Sequence, residues 1–90
     1  MAEPYRSTPV FDEAMLPAAL RSDHSTKAGV WAMIRVLEGR LRLRYAEPPA
    51  ERILERGDAG LCLPEQVHSV EPLGAMRMRV DFYDTDPGQI

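Results

Sequence analysis

The sequence predicts an all-β fold, a single small antiparallel barrel closed by seven or eight strands. Three observations carry this expectation. From His24 onward the chain breaks into short apolar runs separated by turn residues, as antiparallel strands with short connections do. RLRLRY (40–45) and MRMRVDFY (76–83) alternate apolar with polar or charged residues, so each is expected to bury one face. Glycine, proline and aspartate fall between these runs and nowhere form a low-complexity tract.

The elements follow in order. Residues 1–8 lack periodicity and are bounded by Pro9, so they read as an arm. The barrel is expected over residues 9–84, and residues 85–90 read as a frayed tail. Pro17 suits a first helical position and Ala18, Ala19 and Leu20 are good helix formers, so one helical turn is expected there. Strands are expected near 24–28, 30–38, 41–46, 51–56, 59–63, 67–71 and 76–83. Gly39-Arg40 reads as a tight hairpin turn, since glycine accepts positive φ without steric penalty. Pro48-Pro49 interrupts any strand. Gly57-Asp58, Pro64-Glu65 and Leu73-Gly74 mark further turns.

Alternation assigns faces. Leu41, Leu43 and Tyr45 share one face and Arg40, Arg42 and Arg44 the other. Glu51 and Glu55 lie on the next strand, so cross-strand ion pairs with this arginine stripe are expected on a solvated face. Met76, Met78, Val80 and Phe82 share a face, opposite Arg77, Arg79, Asp81 and Tyr83. Ile34 and Val36 are expected inside, which turns Arg35 outward.

Composition excludes several classes. A net charge of −3 argues against a general nucleic-acid binder. One cysteine allows neither an internal disulfide nor a multi-cysteine zinc site. Cys62 sits between Leu61 and Leu63 and reads as a packed, inert thiol. No apolar run approaches the ~18 residues of a membrane span. MAEPYRSTP lacks the apolar stretch of a signal peptide, so a reducing cytoplasm is the expected setting. A chain of 90 residues buries a modest core, and pairing into a homodimer would extend it.

Two segments resemble the two motifs of the cupin superfamily. GDAGLCLPEQVHSV (57–70) is similar to the second motif, a Gly-Asp, an apolar strand, a Pro-centred turn and then a histidine. VLEG (36–39) is similar to the end of the first. Within that superfamily the closer resemblance is to the TehB-like tellurite-resistance domains. It spans about Pro9 to Tyr83, and its most specific parts are H-x-T-K-x-G-x-W from His24, VLEG, and P-x-x-x-H-x-V-x-P-L-G from Pro64. The resemblance implies a compact cupin barrel and an association with tellurite or oxyanion stress in bacteria, without an assigned activity. In some relatives such a domain precedes a methyltransferase, but these residues contain no Gly-rich loop for a nucleotide.

The resemblance also frames the candidate site. His68 falls where cupins place the metal histidine of the second motif. With VLEG as register, the first-motif ligand positions fall near Thr26, Ala28 and Ala32, none of which is an imidazole or carboxylate. His24 lies about two residues out of that register. The expected ligand-binding residues are His24, Thr26, Lys27, Trp31 and His68. Lys27 is the one lysine beside ten arginines and suits an anion. Trp31 is the one tryptophan. A divalent transition metal, if bound, would rest on His24 and His68, with Glu65 or Gln66 helping.

Three functions follow as expectations. The first is a cytoplasmic protein binding a small anionic or metal-containing ligand in its barrel. The second is a metal-dependent dioxygenase or isomerase using His24 and His68. The third is a non-catalytic interaction or regulatory domain. No nucleophile–base–orienter set is evident, because Ser25 and Ser69 each neighbour a histidine that a strand would point the other way.

Overall fold

The alternating runs pair into two antiparallel sheets in a computed structural model that describes residues 3–88. The elements are β1 (Arg6–Ser7), β2 (Phe11–Asp12), α1 (Ala18–Arg21), β3 (Trp31–Glu38), β4 (Arg40–Tyr45), β5 (Ala50–Glu55), β6 (Ala59–Cys62), β7 (His68–Pro72) and β8 (Arg77–Tyr83). One sheet has the order β1-β8-β3-β6, with β2 also on β8; the other has the order β5-β4-β7. Helix α1 begins directly after Pro17 and packs near β7.

The core lies between the sheets and follows the expected alternation. Ala32, Ile34 and Val36 of β3 meet Met78 and Val80 of β8 across the register Ile34↔Val80 and Val36↔Met78. Leu41 and Leu43 of β4, Leu54 of β5 and Val70 of β7 close it from the second sheet. Cys62 is fully buried in this core, and burial pushes its thiol up to about 12. It is therefore an inert packed thiol near neutral pH.

Four differences from the sequence expectation bear on the site. First, Arg6 and Ser7, expected in an arm, pair with Phe82 and Asp81 as β1. Tyr5 N–H donates to Phe82 O at 3.0 Å and Thr8 N–H to Val80 O at 2.9 Å. The edge of β8 supplies open carbonyls that this segment satisfies. Second, residues 24–28 do not form a strand. Only His24 bridges, to His68, because the chain then closes on itself: Val30 N–H reaches Lys27 O at 3.1 Å, and Gly29 has φ +76°.

Third, Gly39-Arg40 is not a hairpin turn. It is the corner at which the chain leaves one sheet for the other, since β3 and β4 do not pair. Gly39 has φ +73°, and a Cβ there would sit 2.2 Å from Ala75 O, so both the conformation and the close approach require glycine. Fourth, Asp81 and Tyr83 face outward as expected yet are buried. Arg35 Nε and Arg79 Nε donate to the two Asp81 oxygens at 2.6 and 3.0 Å, and the Ser7 hydroxyl adds a bond of 2.7 Å. Burial pushes the Asp81 carboxyl up, but the bonds from Arg79, Ser7 and Arg35 outweigh it and hold the group below the ordinary carboxylate range.

The arginine stripe behaves as alternation predicts. Arg44 faces Glu51 at 3.3 Å, and Arg42 pairs with Glu71 of β7 as well. Such exposed pairs contribute about 0–1 kcal/mol each.

Candidate functional site

His24 and His68 are positioned by backbone pairing. His24 N–H donates to His68 O at 2.9 Å and His68 N–H donates to His24 O at 2.8 Å. Residues exchanging both bonds point their side chains to the same face. The two rings accordingly meet edge to face, with centroids 4.1 Å apart and planes at 61°. The out-of-register His24 thus reaches His68.

Both rings are oriented in the same way. Nδ1 of His24 lies 2.9 Å from Ser22 O, and Nδ1 of His68 lies 2.8 Å from Gln66 O. A carbonyl only accepts, so each Nδ1 carries the proton and each neutral ring keeps its lone pair on Nε2. Burial of His68 lowers its pKa below the usual histidine range; the bond to Gln66 O opposes this, and nearby His24 adds to it.

These histidines border a cavity of about 300 Å³ between the sheets. Its apolar wall comes from β3 and β8 through Ala32, Ile34, Met78, Val80 and Phe82, with Val70 of β7 opposite. Its polar groups come chiefly from the 24–27 segment and His68. Arg6 also lines it and stacks its guanidinium 5.6 Å over the Phe82 ring. Among the described residues the lining therefore holds Arg6, Lys27 and two histidines and no aspartate or glutamate. That balance opposes the chain as a whole, which has 14 acidic against 11 basic residues.

The structure thus gathers four of the five sequence candidates, His24, Thr26, Lys27 and His68, at one cavity. Trp31 is not among them. It neighbours inward-facing Ala32 on β3 and pairs with Tyr83, so alternation turns it to the outer face. The parity it shares with Arg35 was visible in the sequence. Thr26 lines the cavity, but its hydroxyl donates to Val30 O at 2.7 Å. That proton is committed to holding the loop that carries Lys27. Arg6 was hidden because a two-residue strand has no periodicity to read.

The donor set does not match a resident divalent metal. Among the described residues no group of three His, Cys, Asp or Glu side chains gathers. Catalytic zinc sites use three protein ligands and structural ones four. Here two imidazoles stand beside two cations, and no aspartate or glutamate among the described residues lines the cavity to offset an ion's charge.

The TehB-like domain model matches residues 6–80. The chain belongs to the TehB-like domain family. Its fold is shared with a protein from Escherichia coli strain K12, at TM-score 0.82 and 23% identity, covering 91% of this chain and 89% of that one. TehB from Haemophilus influenzae superposes at TM-score 0.81 and 29% identity over 90% of this chain and 30% of that one. This TehB-like chain thus spans less than a third of that protein. Hydroxypropylphosphonic acid epoxidase from S. wedmorenis shares the barrel at TM-score 0.62 and 20% identity, over 82% and 40% of the two chains. No curated protein sequence matches it. No helix among the described residues is long and apolar enough to cross a membrane.

Proposed function

We propose that this TehB-like domain binds a small anion in the His24–His68 cavity. One observation carries the reading: among the described residues the lining holds two cations and two histidines and no aspartate or glutamate, in a chain of net charge −3. A cleft of one sign with apolar walls concentrates ions of the opposite sign. Lys27 supplies a mobile ammonium with three donors, and Arg6 adds a second positive charge at the rim. The association with tellurite or oxyanion stress implied by the family is consistent with this chemistry.

The histidines make the binding depend on protons. A neutral imidazole presents its Nε2 lone pair, which repels an anion, whereas a protonated one donates a hydrogen bond to it. The low pKa of His68 leaves it neutral in the free protein near pH 7. Lys27 and Arg6 line the same cavity, His24 is in ring contact, and Tyr45 sits opposite on β4. Anion binding is therefore expected to take up a proton at His68 and to be tighter at pH 6 than at pH 8.

A thermal-shift series with tellurite, phosphate and acetate at pH 6 tests this. The wild type should respond, and Lys27→Ala should bind about tenfold more weakly, the scale of one lost charged hydrogen bond. A wild type that responds to none of them removes the reading. The competing reading, a dioxygenase- or isomerase-type metal enzyme, draws on the free Nε2 atoms of the two rings. Stoichiometric iron, manganese, nickel or zinc in protein purified without a metal-affinity tag would favour it. The proposal extends to a cytoplasmic homodimer, and light scattering that returns a monomer at micromolar concentration would remove the dimer.

A further inference from the structure

The anion reading concerns only one side of the cavity. Apart from Tyr5 and Arg6, its remaining wall is made of apolar side chains on β3, β7 and β8, with Leu20 of α1 and Val30 beside them. An inorganic oxyanion held by Lys27 and the histidines leaves this wall facing water. At about 30 Å³ per water-sized group, a cavity of about 300 Å³ takes about ten such groups. Tellurite or phosphate fills about half of that or less.

The polar groups are also segregated. Ser25, Thr26 and Lys27 follow His24 on one segment, and His68 pairs directly across from it. Strands β3 and β8 contribute Ala32, Ile34, Met78, Val80 and Phe82 and no charged side chain to the lining, and the one cation on that side, Arg6 of β1, lies over the Phe82 ring. A ligand matching this distribution carries its charge at one end and an apolar body at the other.

We propose that the cavity's ligand is an organic acid with an apolar body, such as a medium-chain carboxylate, whose head meets His24, Lys27 and His68 and whose body lies along β3 and β8. This rests on the anion reading and narrows it. Ala32 is the smallest side chain on the wall and is 2% exposed, so it sets how deep the body reaches.

Titration calorimetry with sodium propionate, butyrate, hexanoate, octanoate and decanoate at pH 6, beside phosphate and tellurite, tests it. Affinity should rise about two- to fourfold per added CH₂, and level off near octanoate, which has about ten non-hydrogen atoms. Ala32→Leu should move that plateau to shorter acids while propionate binds as before; Ala32→Val serves if the leucine variant does not fold. A flat series with phosphate or tellurite binding as tightly as octanoate overturns this inference and leaves the anion reading standing. Absence of binding by both series overturns both. A rising series whose plateau ignores a folded Ala32 variant places the acids elsewhere and also overturns the inference.

Discussion

The two ends of the barrel are built from the same strands and filled in opposite ways. At one end Val36, Leu41, Leu54 and Met76 are all buried within 2% exposure, and Gly39 lets the corner between the sheets close against Ala75 and Met76. At the other end β3 offers Ala32, β7 begins with His68, and the 24–30 segment crosses above without forming a strand. Branched and long aliphatic side chains reach across the space between the sheets, and a methyl group does not. The open end tolerates polar groups because its buried ring, His68, has its Nδ1 bonded to a carbonyl. The closed end is packed apolar core, and the open end holds the cavity with its polar groups.

Substitutions test that division, the largest expected effect first. Leu41→Ala should lower stability by about 2–5 kcal/mol, through lost burial and the cavity left behind, as read by urea denaturation. A loss below about 1 kcal/mol would mean that the closed end is not the structural half. Gly39→Ala should lose about 1–3 kcal/mol, because a non-glycine residue is strained at this φ, with the contact at Ala75 O added. Melting temperatures of the two proteins measure it, and equal values would show that the corner relaxes freely.

Acidification should act on the open end. His68 has a lower pKa folded than unfolded, so the unfolded chain binds more protons between those two values. Stability is then complete above about pH 6.5 and falls as the pH drops from there through the folded pKa, at no more than about 1.4 kcal/mol per pH unit. His68→Gln should flatten this portion of the stability–pH curve. An unchanged slope in the variant would assign the acid sensitivity elsewhere. The smallest stability effect belongs to Lys27→Ala, which should stay within about 0.5 kcal/mol of wild type while anion affinity falls. A large stability loss there would show that Lys27 serves the fold.

Much of the barrel was legible because it rests on local rules. Period-two alternation placed Ile34, Val36, Leu41, Leu43, Met78 and Val80 inside, and all are buried. It also placed Arg35 and the β4 arginines outside, where Arg35 bonds Asp81 and Arg44 meets Glu51. Trp31 shares the parity of Arg35 and accordingly lies outside the cavity lining. The burial of Asp81 had no local signal, since it depends on Ser7, Arg35 and Arg79 converging from three strands.

By itself the sequence determined the all-β class and the inward faces, because these follow from short-range periodicity, while its motifs carried the resemblance to the family and the pair of histidines. Only the tertiary structure decided that His24 meets His68 across a backbone bridge, that Arg6 joins their cavity from what reads as an arm, and that Gly39 turns a corner between sheets. Each of these joins residues that lie far apart in the chain or belong to different sheets. Strand pairing and sheet packing settle such contacts, and the local pattern of a ninety-residue chain does not encode them.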